Sequence, residues 1–502
     1  MTFPFVVSVN TKNADAFSCR PIVSIQRIFA PDNERQVILT GLEQLAFLTH
    51  DKSHRNYFAL IEVMKKDAQR LINRLLYILK TNNVELNEHV ALSARCIAQL
   101  PTTSFDKELI EGGFVHAFNY HVPKNPNVEI KRQLIYGLIN LMVVKRSNAE
   151  HCLIHGQVHK VFCDLPQDDP ECQEYVAWFF NSALMKHTSP PIPWNEYCKP
   201  LWPRIVAVVQ STKDPTQNPS LSAALEDSLN GMYMLSRHIH QVTQASMLKD
   251  LLTPQLLRAL LNIASNPLPN PNEAIEYWVT RATAVLSRVV LAEYNPAVVN
   301  IVTTCEPLVR VTLPYMLQDK RPHVAEDAVI LVTNASGTVD HPQIAIRLVH
   351  LVEIIASRLY ENSASPKFNT QAIIALLNII YQLTDQAHGY NDSFYKQLFG
   401  SGTLLTSLME RTKFPDPDIA RRILEGMVYL MDLGVPQAVE QLTDMSFVQD
   451  VSELAFHSSS NKAVSEVAMR LLAHLDHHES VPREMQEEDG DDQEEYYWSG
   501  NM

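Results

Sequence analysis

Apolar positions recur along this chain with the period of an α-helix rather than with the alternation of a β-strand. In residues 130–144, at about 100° per residue, one broad sector collects Ile130, Leu134, Ile135, Leu138, Leu141 and Met142. Similar apolar segments alternate with short polar breaks from residue 33 to about residue 480, without long strand-like alternation. The pattern predicts an all-α chain in which each helix buries one face.

Two signals recur at intervals of about forty residues, which is typical of a solenoid of repeated helical units. A glycine stands beside an apolar segment at Gly113, Gly156 and Gly402, where it would permit the left-handed turn that ends a helix. An amide or aromatic residue falls late in successive helical segments, at Gln99, Asn140, Asn181, Tyr233 and Asn334. Both signals indicate that one structural unit is repeated along the chain.

The intervals predict an all-α, right-handed alpha-alpha superhelix, an armadillo- or HEAT-type solenoid with about eight or nine repeats over residues 33–480. A repeat of this length cannot bury its apolar face alone, so stacked neighbours complete the core and form a long concave groove. Residues 1–32 have no clear period and are expected to form an irregular arm. Residues 481–502 are expected to be an acidic, disordered tail.

Polar positions opposite the apolar sectors identify a candidate binding face. Tyr136 and Asn140 lie one turn apart on one helix, and Glu174, Trp178 and Asn181 fall together in the next repeat. An Asn amide offers a donor and an acceptor to the unpaired backbone of an extended peptide. An aromatic face packs the stem of Lys or Arg and attracts its charge. The alternative is that these are ordinary surface residues, with Trp178 closing a gap between repeats.

Composition and charge narrow the possible classes of function. The chain has 14 Gly and no Gly-rich phosphate-binding loop, which disfavours nucleotide-binding α/β folds. Its 7 Cys include no CxxC pair, which indicates reduced thiols in the cytosol or nucleus. The net charge of −14, with eight acidic residues in residues 484–495, would repel nucleic acid and suit a cationic partner. We find neither a signal peptide nor an apolar run of roughly 20 residues, so we expect no membrane insertion.

Motifs for catalysis or metal binding are not evident in the sequence. His474 and His478 share a helix face just before the tail, where a solvated helix end accounts for them. No nucleophile–base pair, zinc signature or pair of carboxylates at a telling spacing is found. We therefore expect a protein that is not an enzyme and uses no cofactor or metal, with a helical enzyme as an alternative.

The amide positions resemble those of importin-alpha, the armadillo adaptor that binds nuclear localisation signals. That family carries Trp-x-x-x-Asn on the third helix of most repeats. Tyr136-Gly-Leu-Ile-Asn140 looks like this element with Tyr in place of Trp, and Asn181 matches the next repeat, with Trp178 three positions earlier. Residues 326–337 are similar to a later repeat, in which Asn334 is retained, and Tyr233 falls where the family often has Tyr.

The resemblance implies a nuclear-import adaptor, found in cytoplasm and nucleus, that holds basic segments of cargo proteins in its groove. Such an adaptor passes its cargo to a carrier such as importin-beta or is recycled by an exporter. The residues that would contact cargo are Gln99, Tyr136, Asn140, Glu174, Trp178, Asn181, Tyr233 and Asn334.

Several positions depart from the importin-alpha pattern. Residues 1–32 lack the basic segment that binds importin-beta, so binding of that carrier through them is not expected. Val144 stands where the family has an acidic residue that selects a cargo lysine, and Arg95 stands where Trp is expected. Glu174, on the face of Trp178, is the candidate replacement acid. The alternative function is an armadillo scaffold that binds other proteins outside nuclear transport.

Overall fold

The computed structural model is helical throughout the part of the chain that it describes. The described residues are 21–50, 57–80, 87–100, 102–185, 197, 199–211, 218–241, 253–293, 296–338, 341–361, 365–384, 395, 398–412, 416–457 and 461–480. The prediction of an all-α solenoid is confirmed by these helices, among which no strand occurs. None of the described helices is long and apolar enough to cross a membrane. The predicted acidic tail lies outside the described residues.

Two compact units divide the chain, Met1–His238 and Ile239–Met502. The helices of the first unit are α1 (Pro21–Ile28), α2 (Arg35–His50), α3 (Tyr57–Lys66), α4 (Ala68–Leu79), α5 (Asn87–Gln99), α6 (Thr102–Glu111), α7 (Phe114–Lys124), α8 (Val128–Val144), α9 (Arg146–Glu150), α10 (Val158–Asp164), α11 (Pro170–Met185), α12 (Trp202–Ser211) and α13 (Pro219–Gln241). A π-helical segment, His151–His155, follows α9, and a 3-10 turn, Lys199–Leu201, precedes α12.

The second unit continues the same alternation of short and long helices. Its helices are α14 (Pro254–Ala264), α15 (Glu273–Glu293), α16 (Pro296–Thr303), α17 (Leu313–Leu317), α18 (Pro322–Ser336), α19 (Pro342–Leu348), α20 (Val352–Tyr360), α21 (Pro366–Thr384), α22 (Thr403–Thr412), α23 (Pro417–Asp432), α24 (Pro436–Leu442), α25 (Met445–His457) and α26 (Lys462–Ser480). A π-helical segment, Leu308–Thr312, precedes α17, and a 3-10 turn, Val349–Leu351, precedes α20.

Local sequence explains where many of these helices begin. Asn127 caps α8 by accepting hydrogen bonds from the backbone N–H groups of Glu129 and Ile130, at 2.9 and 3.3 Å. Thr253 caps α14 in the same way and is followed by a proline at the first helical position. Such caps satisfy N–H groups that have no partner within the helix, and proline there loses no hydrogen bond.

Within each unit, the last helix of a repeat packs against the last helix of the following repeat, and we call these the long helices. In the first unit they are α2, α5, α8, α11 and α13, and in the second α15, α18, α21, α23 and α26. The apolar sector predicted for α8 is confirmed, because all six of its members are completely buried. The helices approach closely at Gly137, where a Cβ would lie 3.2 Å from the Cα of Ala98.

Two details of the sequence-based prediction are corrected by the structure. Residues 21–28 form α1, which packs against α2, rather than part of an irregular arm. Gly113 and Gly402 have the expected left-handed backbone, with φ of 84° and 70°, but Gly156 has φ of −81°. Gly156 is instead a site of close packing, since a Cβ there would lie 2.3 Å from Cγ1 of Val115.

Arginine side chains link successive repeats by hydrogen bonds. These arginines lie on the helices that directly precede the long helices. Each guanidinium donates to carbonyls at the C-terminal end of the equivalent helix one repeat earlier. Those carbonyls have no partner in their own helix and carry partial negative charge. These arginines, which we call the arginine clamps, are Arg74, Arg204, Arg358 and Arg411. Arg204 is buried and donates to the carbonyls of Phe162 at 2.5 Å and Pro166 at 2.9 Å.

We predict that Arg204→Met lowers the free energy of unfolding of the first unit by about 2–4 kcal/mol, because several buried carbonyls lose a charged donor. Urea denaturation followed by circular dichroism measures the change. Arg422→Met is the matched control, because Arg422 is exposed on α23 and its replacement should change little. Equal midpoints for the two variants would contradict the role given to the clamp.

Candidate functional site

The late amides of the long helices bond to the preceding long helix. Asn140 Nδ2 donates to the carbonyl of Ala98 at 3.4 Å. Asn334 Nδ2 donates to the carbonyl of Ser287 at 2.7 Å, and Gln382 Nε2 repeats the arrangement at 2.5 Å from the carbonyl of Ser336, the last residue of α18. The amides therefore join neighbouring repeats and are not simply displayed to solvent. Each primary amide has a second N–H and a carbonyl oxygen for other partners.

Gln99 occupies the same late position on α5 but acts as an acceptor. Its Oε1 accepts a hydrogen bond from the hydroxyl of Thr49, on α2, at 3.1 Å. Gln99 is half-buried, and it too links two successive long helices. The recurrence of amides at this position follows in part from the stacking of repeats, which the sequence alone did not reveal.

Tyr136 and Trp178 form an aromatic pair across two neighbouring repeats. Their ring centroids lie 5.5 Å apart, with the planes inclined at 49°. Tyr136 on α8 is 42% exposed, and Trp178 on α11 is half-buried. The structure thus brings together two rings that the sequence placed on similar faces of separate helices. The opposite stripe of α11, including Val176, Phe179 and Phe180, is buried as predicted.

Asn181 departs from the expectation of an exposed amide, because only 6% of its surface is accessible. Helix α13 covers the Asn181 side chain, and Gly231 on α13 allows this helix to lie close to α11. A Cβ at Gly231 would lie 2.5 Å from Cδ1 of the fully buried Phe180. Asn181 Nδ2 donates to Oδ1 of Asp227, on α13, at 2.7 Å. The amide therefore faces a carboxylate of the next repeat.

Two acidic groups lie on the same helices: Glu174 is one turn before Trp178 on α11, and Asp227 on α13 is the hydrogen-bond partner of Asn181. Burial raises the pKa of Asp227 to about 7, against a lowering effect of the hydrogen bond from Asn181. The charges of Glu226 and Glu174 raise that pKa further. Burial also raises the pKa of Glu174, although the Ser220 hydroxyl bonds to it and lowers the pKa. Both carboxyl groups are thus poorly solvated, and their ionised forms are stabilised by an added cation.

We call the group of Tyr136, Glu174, Trp178, Asn181 and Asp227 the acid–aromatic site. Four of its members were predicted from the sequence, and Asp227 was missed. Its immediate neighbours, Glu226 and Ser228, are polar, so nothing local indicates the burial of Asp227.

The remaining candidates lie apart from the contacts that define this site. Tyr233 is half-buried further along α13. Asn334 belongs to the second unit, which carries an aromatic pair of its own that the sequence analysis missed. Tyr381 on α21 and Tyr429 on α23 have ring centroids 4.9 Å apart, and Tyr381 is 37% exposed.

Metal-ligand residue types and thiols are also found among the described residues. No group of three or more His, Cys, Asp or Glu side chains among them is arranged to hold a metal ion. Burial raises the pKa of Cys96 and Cys152 to about 12, so these thiols stay protonated at neutral pH and are poor nucleophiles.

Comparison with known proteins identifies the fold but no family. No family model matches the chain, and no match is found among curated proteins. Among solved structures, the chain is similar to an engineered protein of the Northeast Structural Genomics Consortium, with a TM-score of 0.66 and 14% identity over 91% of this chain and 99% of the other. A second engineered protein from the same consortium has a TM-score of 0.38 and 14% identity, covering 54% of this chain and 96% of its own. At this identity, the first likeness supports the all-α solenoid fold alone.

We predict that Asp227→Asn stabilises the protein increasingly as pH rises from about 4 to about 7. The folded state holds the Asp227 proton up to a pKa of about 7, whereas the unfolded state releases it near 3.8. Wild-type stability therefore falls across this window, and asparagine, which can still accept from Asn181, removes the effect. Urea denaturation at several pH values measures the difference between variant and wild type.

Asp168→Asn serves as the control for this measurement, because it removes the same charge from an exposed side chain. Its stability difference from wild type should stay flat across the window. A flat difference for Asp227→Asn as well would contradict the desolvation of that carboxylate.

Proposed function

We propose that the first unit binds an extended, cationic segment of another protein along α8, α11 and α13. The observation that carries this proposal is the part-exposed Tyr136–Trp178 pair, together with two poorly solvated carboxyl groups: Glu174, one turn before Trp178 on α11, and Asp227, which is bonded to Asn181. Aromatic faces accept the methylene stems of Lys and Arg, and carboxylates accept their charged heads.

An extended segment also needs partners for its backbone. The amide of Asn140 lies one turn from Tyr136 on α8 and uses one N–H within the fold. Its geometry leaves capacity for a further hydrogen bond on the same face. Repetition of such groups on successive long helices suits a ligand that is itself a repeating, extended chain.

The charge of the protein supports the same class of ligand. The net charge of −14 favours the approach of a positively charged segment over that of nucleic acid. Arg95 on α5 opposes a cation in the preceding repeat, so the preferred cation contacts lie toward α11 and α13. The binding register that we propose therefore begins at Tyr136 and runs toward Asp227.

In the cell, this binding suits a nuclear-import adaptor that recognises nuclear localisation signals, as the resemblance to importin-alpha suggests. The adaptor would act in cytoplasm and nucleus and would pass its cargo to a carrier such as importin-beta or an exporter. Such signals are rich in Lys and Arg. The carboxyl and aromatic groups of the acid–aromatic site are the kinds of group that bind these residues. No cofactor and no catalytic role enter this proposal.

A scaffold role outside nuclear transport is the second candidate, and one observation favours it. The second unit carries its own part-exposed aromatic pair, Tyr381 and Tyr429. Burial raises the pKa of Tyr381, and the nearby charge of Glu425 raises it further. Two separate aromatic surfaces suit a protein that holds more than one segment. Purification of partners from cells would separate the roles, since transport factors support the adaptor and cytoskeletal or adhesion proteins support the scaffold.

We predict that a fluorescein-labelled peptide of mixed lysine and arginine binds the protein, and that Tyr136→Ala weakens this binding about tenfold. Fluorescence anisotropy at moderate salt measures both affinities. The control is Phe58→Ala, which removes a ring that is 76% exposed on α3. A peptide that fails to bind, or that binds both variants as tightly as wild type, would refute the proposed function.

A further inference from the structure

Ser365 lies between two helices of the second unit, after α20 ends at Tyr360 and directly before α21 begins at Pro366. Its Oγ accepts a hydrogen bond from the backbone N–H of Phe368 at 3.1 Å and thereby caps α21. The same hydroxyl donates to Oε1 of Glu326, on α18, at 2.5 Å. A single side chain therefore joins the start of α21 to the preceding long helix.

Both oxygens of Glu326 have partners at this contact. Its Oε2 lies 3.6 Å from Nζ of Lys367, and only 18% of the Glu326 side chain is exposed. The next residue, Asp327, is buried as well. Burial raises the pKa of Asp327, and nearby positive charges, that of Lys367 included, lower it. A further negative group at Ser365 would therefore be repelled by acids of α18 that are shielded from water.

The dipeptide Ser365-Pro366 is the type of sequence that proline-directed protein kinases modify. Proline biases the residue before it toward extended backbone, which is the form in which a kinase binds its acceptor. Pro366 and Lys367 are exposed, and Ser365 is half-buried. Thr253 offers a comparison, because it also precedes a proline and caps α14 by accepting from the N–H of Leu256 at 3.1 Å. Of these two capping hydroxyls in the described part of the chain, Ser365 is the one that also bonds to a carboxylate of another repeat.

We propose that Ser365 is a phosphorylation site for a proline-directed protein kinase, and that its phosphate weakens the contact between α18 and α21. Oγ of Ser365 forms a bond to the γ-phosphorus of ATP while the bond from that phosphorus to the β-phosphate oxygen breaks, so ADP leaves and the hydroxyl proton passes to the kinase or to water. This modification concerns the second unit and does not depend on the proposed function.

The phosphate changes the sign of the interaction between the two helices. Phosphoserine has no hydroxyl proton to donate to Glu326, and it carries a charge of about −1.5 to −2 at neutral pH. Repulsion therefore replaces the hydrogen bond, and the phosphate competes with Glu326 for the ammonium of Lys367. The first turn of α21 attracts the phosphate through its N–H groups, so α21 itself is retained and its contact with α18 is lost.

An aspartate at this position tests the electrostatic step without a kinase. Ser365→Asp keeps an acceptor for the N–H of Phe368 and places a carboxylate against Glu326. By hydrogen exchange and mass spectrometry, we expect the backbone amides of α18 and α21 to exchange about tenfold faster than in wild type. Adding Glu326→Gln should remove most of this increase, because glutamine does not repel the new carboxylate. Thr253→Asp is the matched control and should leave exchange in α18 and α21 unchanged. Equal exchange in the two aspartate variants, or no rescue by Glu326→Gln, would overturn the proposed effect.

The modification itself is tested on the full chain with a recombinant proline-directed kinase and ATP. Mass spectrometry of the digested wild-type protein should locate a phosphate on Ser365, which Ser365→Ala should lose and Thr253→Ala should keep. The phosphorylated wild-type protein should show the same faster exchange in α18 and α21 as Ser365→Asp. A wild-type protein without phosphate on Ser365 would overturn the site, and a phosphorylated protein with unchanged exchange would overturn its effect on the contact.

Discussion

Within each unit, the structure depends on the packing of each long helix against the long helix of the next repeat. A single repeat leaves one apolar face uncovered, and the fully buried Leu134, Leu138 and Leu141 lie on α8, which packs against α5 and α11 of the neighbouring repeats as well as against α6 and α7. The fold is therefore stabilised mainly by the interfaces between adjacent repeats. Amide-to-carbonyl bonds and the arginine clamps add directional contacts at the same interfaces, which determine how one repeat is positioned on the next.

The acid–aromatic site is a product of that packing at one interface. Gly231 lets α13 approach α11 closely, and this approach buries Asn181 and removes water from Asp227. The same close contact places Glu174 near enough to influence the protonation of Asp227. Gly231 on α13 thus influences the pKa of Asp227, in a site formed by α8, α11 and α13. The functional proposal rests on this chain of causes rather than on any isolated side chain.

The periodicity of apolar residues predicted the helices and their buried faces, because both depend on local geometry alone. It also placed Tyr136 and Trp178 on suitable faces, although their contact across two repeats required the structure. The burial of Asn181 could not be foreseen, because it depends on a glycine and an acid fifty and forty-six residues further along the chain. The arginine clamps were equally hidden, since nothing local distinguishes Arg204 from an arginine in solvent. Helix α1 was missed because its segment is too short to display a period.

The Tyr136–Trp178 pair has a consequence for mechanics as well as for recognition. Its two rings belong to different repeats, so a ligand lying across them would touch both and would resist their separation. A ligand that binds the paired rings would stabilise the arrangement in which α8 and α11 are packed together. A bound chain would therefore restrain the relative motion of the repeats that it contacts, and it would leave the motion of the other repeats unchanged.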